Sequence, residues 1–173
     1  MKRKLQIALN YMRLLKFYFK KNIKYEKKQN FYYDTRLEIS KSSKKVYLGN
    51  NICTNKNCRI AVRDNAELFI GNNCTFNVGC QIISREKVVI GKNTHFGCNC
   101  IIIDNDHNFS KKNGYSTGFT SSPIIIGENC LIGANTVILK GVEIGDRSII
   151  AAGSVITKNI PKESVIIQKR ELN

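Results

Sequence analysis

The chain has 173 residues and a formal charge of +15, from 28 lysines and arginines against 13 aspartates and glutamates. That length points to one domain, and no apolar run approaches the ~20 residues of a membrane-spanning helix. MKRK is followed only by the short LQIALNYM and then Arg13, with no small-residue cleavage site, so no secretory leader is expected; seven cysteines, an odd number without a C-x-x-C pair, suit free thiols in a reducing compartment.

Residues 1–28 hold ten basic residues and one acid, Glu26, and so carry +9 of the total. Such asymmetry fits an acidic partner (nucleic acid, anionic lipid or an acidic substrate) or a solvated basic arm. Leu5, Leu9, Met12, Leu15, Phe19 and Ile23 recur at steps of three and four, which predicts a helix over 2–24. That helix would cap one end of the fold, covering an edge strand, or lie on a membrane surface with its lysines toward anionic lipid. Residues 25–36 read as a polar connector, Leu37 and Ile39 as a first strand, and SKSSKK as a turn.

A six-residue period then takes over. It is clearest from Ile126 to Ile160, where isoleucine opens each block at 126, 132, 138, 144, 150 and 156. The fifth place of the first five blocks holds Cys130, Thr136, Val142, Ser148 and Ser154. A period of six is neither helical nor simple strand alternation, and it is the mark of a β-helix built of short straight faces. The first residue would plug the core and the fifth must be small. Cys58, Cys74, Cys80 and Cys100 fall at the same fifth place and read as compact core residues, with Cys58, Cys80 and Cys100 in one column.

Each coil opens on a signature: VYLG at 46–49, LFIG at 68–71, VVIG at 88–91, IIIG at 124–127 and VEIG at 142–145. The steps between Leu48, Ile70, Ile90, Ile126 and Ile144 exceed three hexapeptides by 4, 2, 18 and 0 residues. All the excess falls just before the next signature, so every insertion leaves at one corner, and insertions gathered on one side mark a binding face. The largest follows IIIDNDHNF. His107 stands at its threshold with Asp104 and Asp106 beside it, and KKNGYSTGFTSS fills 111–122. A long loop in a regular solenoid points to function, and a histidine near carboxylates has the makings of a general base. His95 closes the first face of its coil and His107 the third, so the two do not stack. Two histidines fall short of the three that a carbonic-anhydrase-type zinc centre takes.

The run PIIIGENCLIGANTVILKGVEIGDRSIIAAGSVITKNIP resembles the signature of the left-handed β-helix, hexapeptide-repeat acyltransferases. The resemblance covers about 46–162 and is nearest to the branch of maltose, galactoside, capsular-polysaccharide and xenobiotic O-acetyltransferases. It implies an all-β fold: a left-handed parallel β-helix with an N-terminal helical cap and a protruding loop. It also implies a homotrimer, acetyl-CoA as donor and active sites between subunits. His107 falls on the family's catalytic histidine, with Asp104 or Asp106 as the group that orients its ring. Ala134 and Ala152 match places whose backbone meets the pantetheine arm. Thr157 and Lys158 match a pair near the CoA phosphates. Asn77 matches an acceptor-side asparagine, while a second asparagine and an acidic pair are replaced by Gly79, Ser84 and Arg85, so the acceptor differs. Leu131 stands where a tryptophan is usual. The closing G-x-P-A-[KR] element is missing, and Lys169 and Arg170 would take over its contacts.

These readings divide the chain into a basic arm and connector (1–36), the β-helix (37–162, with loop 108–123) and a tail (163–173). They predict a cytoplasmic acetyl-CoA-dependent O-acetyltransferase of a sugar hydroxyl in cell-surface polysaccharide synthesis, touching anionic membrane through residues 1–28, with no metal and no nucleic acid. The alternatives are N-acetylation of a nucleotide-linked amino sugar and a catalytically silent trimeric binding module.

Overall fold

The structure, a computed structural model, describes residues 8, 10, 12, 14, 15, 20–26 and 29–167. It is a left-handed parallel β-helix. The first coil is β1 (Ile23–Tyr25), β2 (Gln29–Asn30) and β3 (Arg36–Ile39). The second is β4 (Lys45–Leu48), β5 (Ile52–Thr54) and β6 (Arg59–Val62), and the third β7 (Glu67–Ile70), β8 (Thr75–Phe76) and β9 (Gln81–Ser84). The fourth is β10 (Lys87–Ile90), β11 (His95–Phe96) and β12 (Ile101–Ile103), after which β13 (Asn105–Ser110) and β14 (Gly114–Ser121) leave as a hairpin. The fifth is β15 (Ile124–Ile126), β16 (Leu131–Ile132) and β17 (Val137–Leu139), and the sixth β18 (Glu143–Ile144), β19 (Ile149–Ile150) and β20 (Val155–Ile156). A bridge from Ile160 to Ile144 and β21 (Val165–Ile166) begin a seventh. The first, second and third strands of the coils stack as three parallel sheets.

The six-residue code is realised as expected. Ile126, Ile132, Ile138, Ile144, Ile150 and Ile156 all point inward, none more than 5% exposed. Each such side chain contributes about 1.5–3 kcal/mol of burial. The small fifth residues lie beside them, also buried. The corners turn through residues at positive φ, many of them asparagines: Asn51, Asn73, Asn93 and Asn129 at one corner, Asn57, Asn99 and Asn135 at the next. Asparagine enters this region at low cost because its short side chain bonds locally. Here the amides also bond from coil to coil, Asn51 to Asn73 at 3.1 Å, Asn73 to Asn93 at 3.0 Å and Asn93 to Asn129 at 3.1 Å.

The β-helix begins earlier than residue 37. β1 pairs with β4 and β2 with β5, so residues 23–36 form part of a coil rather than helix end and connector. Ile23 and Phe31 are core residues, but Gln29 takes an inward place. Its amide nitrogen donates to Gly49 O at 2.6 Å and Glu26 O at 3.0 Å, while its Oε1 is buried without a hydrogen-bond partner. The strands also continue past residue 162, since β21 pairs with β19. Upstream, Ala8, Asn10, Met12, Leu14 and Leu15 are helical. Leu14 is buried in the core, its carbonyl accepts from Tyr25 Oη at 3.1 Å, and the buried Asn10 amide donates to Gln29 O at 3.4 Å. This helix therefore caps the first coil. Residues 1–7 and 168–173, with Lys169 and Arg170, lie outside the described residues. No helix among the described residues is long and apolar enough to cross a membrane.

The cysteine column is present. Cys58, Cys80 and Cys100 are buried on successive coils, and their thiols donate to Asn77 O, Gly97 O and Gly133 O at 3.1, 3.0 and 3.2 Å. Hydrogen bonding to the Cys100 and Cys58 thiols, together with burial, pushes the Cys80 thiol up, and burial raises Cys74 to about 11. The thiolate is the reactive form. Iodoacetamide at pH 8 is therefore expected to label the partly exposed Cys98 first in the native protein, Cys53 more slowly because burial raises its thiol too, and all seven cysteines after unfolding. Mass spectrometry checks this; native-state modification of Cys74 or Cys80 would contradict the closed core.

Candidate active site

Every insertion does leave at one corner, between the third sheet and the first: the turns after β3, β6 and β9, then the hairpin after β12. The largest insertion is not an irregular loop over 108–123 but a two-stranded ribbon over 105–121. Its turn closes on Gly114 at φ +64, after Asn113. A three-residue turn followed by a glycine at positive φ is a common hairpin connection. The pairing is irregular between His107 and Phe109, and Asn105–Ser121, Asp106–Thr120 and His107–Phe119 are partners below that point.

His107 is exposed on β13. Its ring lies 4.3 Å from Phe119 and 5.3 Å, edge-on, from Tyr115, both on β14. Neither aromatic was singled out from the sequence; their pairing opposite His107 follows from the hairpin register. Among the described residues no group is hydrogen-bonded to the imidazole nitrogens.

Neither neighbouring carboxylate orients that ring. Asp104 is fully buried. It accepts from the backbone N–H of Arg85 at 2.7 Å, of Glu86 at 2.8 Å and of Lys87 at 2.8 Å, with Ser84 Oγ 3.2 Å away. It is an anion caged by backbone dipoles, and its work is to fix the turn of the coil above. Asp106 instead pairs with Lys140 at 3.3 Å. Both aspartates were expected beside the histidine because they adjoin it in sequence; strand alternation and stacking send them elsewhere.

Ser84 is not open to a ligand either. It shares the inward parity of Ile82 on β9, is fully buried, and donates to Glu67 O at 2.8 Å. Arg85, one residue on, turns outward. Its guanidinium carbon sits 3.7 Å from the centroid of Phe119, the same ring that packs on His107. Asp104, Arg85, Phe119 and His107 thus form one connected series, from a buried carboxylate to an exposed imidazole.

The other expected residues divide between two corners. Thr157 and Lys158 are exposed just after β20, at the insertion corner, below the hairpin. Asn77, Ala134 and Ala152 follow β8, β16 and β19 and so lie at the corner between the second and third sheets. Asn77 accepts from the Asn55 amide at 2.9 Å. Ala134 and Ala152 stand on adjacent coils, where Gly153 N donates to Ala134 O at 2.7 Å. The coils stack so tightly there that a Cβ on Gly133 would come within 2.4 Å of Ala152 N. Leu131, Ile149 and Val165 are register partners on the adjoining face, each exposed. His95 opens the second face on β11 rather than closing the first, with Nδ1 2.6 Å from Thr75 Oγ1, and does not stack with His107.

Residues 123–158 match a family model described as hexapeptide repeat of succinyl-transferase. The bifunctional protein GlmU of Listeria monocytogenes is 39% identical over 80 residues, which are 46% of this chain and 15% of that protein. The 2,3,4,5-tetrahydropyridine-2,6-dicarboxylate N-acetyltransferase of Staphylococcus aureus is 37% identical over 76 residues, 44% of this chain and 28% of its own. The chain therefore spans less than a third of either relative. A variant of AntD, an N-acyltransferase from Bacillus cereus solved with dTDP-4-amino-4,6-dideoxyglucose and coenzyme A, is similar with a TM-score of 0.75. The match covers 90% of this chain and 82% of AntD at 14% identity. The polySia-specific acetyltransferase NeuO has a TM-score of 0.54, with 87% and 86% covered at 20% identity. At such identities the likeness is one of fold. Residues 123–158 thus carry the hexapeptide repeat of that family model, and the left-handed β-helix fold is shared with these solved structures.

Proposed function

We propose that this chain is an acetyl-CoA-dependent acetyltransferase acting on a sugar hydroxyl, with His107 as general base. The observation that carries the reading is the setting of His107: an exposed imidazole, steadied by two aromatic rings, with no hydrogen-bonded partner among the described residues, at the corner where all insertions gather. Its ring nitrogens are thus available to an acceptor. His107 takes the proton of the hydroxyl as the oxygen bonds to the acyl carbon, and returns it to the departing sulfur. Acetyl-CoA supplies the acyl group as an activated thioester. The residues fit such a donor: Ala134 and Ala152 cover adjacent coils with no more than a methyl group, and Lys158 is an exposed cation with no ion pair among the described residues, suited to a phosphate.

One corner of a single prism carries His107 and Lys158, and another carries Asn77, Ala134 and Ala152. A cleft between two copies unites them, which favours a homotrimer. Light scattering is expected to give three times the chain mass at micromolar concentration; a stable monomer would contradict it. The likeness to AntD supports a second reading, N-acylation of a nucleotide-linked amino sugar. Thioester consumption against sugars and nucleotide sugars, with mass spectrometry of products, tests both. An O-acetyl ester supports the first and an amide the second; no transfer to any acceptor rejects both.

A further inference from the structure

A groove of about 920 Å³ runs along the insertion corner above the hairpin, lined by the ends of β3 and β6 and closed below by Arg85. Its cations are Lys20, Lys41, Arg63 and Arg85, and its acids Glu38 and Asp64. Glu38 is engaged by Arg59 through two bonds, at 3.0 and 2.7 Å, and lies 3.7 Å from Arg63. The Arg59 bond, with the surrounding cations, holds the Glu38 carboxyl below its ordinary value. Asp64 accepts from the Ser40 hydroxyl. Both acids on the groove are therefore occupied.

Arg85 is different. Among the described residues no carboxylate pairs with its guanidinium, and its Nε is buried without a hydrogen-bond partner. The nearest buried acid, Asp104, holds the Arg85 backbone N–H and not its side chain. Stacking on Phe119 fixes the plane of the guanidinium. A stacked guanidinium keeps its N–H groups in plane, where they match the two oxygens of a carboxylate or phosphate. One ring away, His107 waits for a hydroxyl.

We infer that Arg85 is an anion-binding, specificity-determining residue, and that the acceptor carries a carboxylate or phosphate seated in this groove with its reacting group toward His107. The inference rests on the acyl-transfer reading for the second half of that sentence, but its first half is a binding claim that stands without turnover. Asp104 pre-sets the turn, so the cation meets its ligand with little reorganisation.

Calorimetry with three probes of similar size tests it: glucuronic acid, glucose 1-phosphate and glucose, titrated into wild-type protein and into Arg85→Gln and Arg85→Lys. Arg85→Gln retains the backbone N–H that Asp104 holds, so the fold should persist. A charged hydrogen-bonded pair is worth about 1.5–3 kcal/mol, or roughly 10–150-fold. Wild type is expected to bind at least one of the acids that much more tightly than glucose, with the stronger acid showing whether carboxylate or phosphate is the native group. Arg85→Gln should lose that margin, and Arg85→Lys, which keeps charge without the fork, should lose part of it. Equal binding of glucose and both acids by wild type, or acid binding undiminished in Arg85→Gln, overturns the inference. Acid binding that depends on Arg85 but leads to no acyl transfer would instead sink the proposed function and leave the anion site standing.

Discussion

Replacing His107 with alanine is expected to lower kcat by about 10²–10⁴-fold, the usual contribution of a general base, while the protein stays folded. The imidazole is exposed and packs on the hairpin rather than in the core. Its loss leaves no buried polar group unpaired and opens no cavity in the prism. Affinity for coenzyme A should hold, because Ala134, Ala152 and Lys158 are on other coils. Turnover with one accepted sugar, together with calorimetry for coenzyme A, makes the comparison. If the variant keeps more than about a tenth of wild-type kcat, well short of that range, His107 is not the base.

Asp104→Ala should have the largest effect on stability. It orphans the backbone N–H groups of Arg85, Glu86 and Lys87 in a fully buried site, while the Ser84 hydroxyl keeps its bond to Glu67 O. Each unsatisfied group costs about 1–3 kcal/mol before relaxation, so a net loss of about 3–5 kcal/mol is expected, at the upper end for single substitutions. Asp106→Ala, which breaks only a half-exposed pair with Lys140, should cost no more than about 1 kcal/mol. Urea midpoints at one fixed protein concentration compare the two. The pair also separates two roles for Asp104. A ring-orienting carboxylate would change the pH–rate profile and spare stability. A turn-fixing one lowers stability first and affects turnover only through Arg85 and Phe119. Near-wild-type stability of Asp104→Ala would refute the turn-fixing role.

How Asp104 was misread shows where sequence reasoning stops. From IIIDNDHNF, both aspartates adjoin His107, and adjacency suggested a shared site. Just past β12, Asp104 continues the inward column of Ser84 on the coil above, and its partners are residues 84–87, seventeen or more positions back. Ser84 was misjudged for the same reason, although its parity with Ile82 could have revealed that it points inward. The hairpin was legible in the turn at 111–113 followed by Gly114, but glycine and serine around it suggested a loop. The first coil was hidden by Gln29, a polar residue in a plug position that only its bonds to Gly49 and Glu26 make tolerable.

The sequence by itself determined the prism: the period of six, the inward isoleucines, the small fifth residues, the cysteine column and the single corner from which insertions leave. These are local and periodic, so each residue's burial follows from its place in the repeat. Only the tertiary structure decided which chemistry meets at that corner. Insertions of different length shift which residues stack from coil to coil, and hydrogen-bond partners 17–36 residues apart are then chosen by geometry. That is why Arg85 comes to rest on Phe119 beside His107, while Asn77, Ala134 and Ala152 stand at another corner of the same chain.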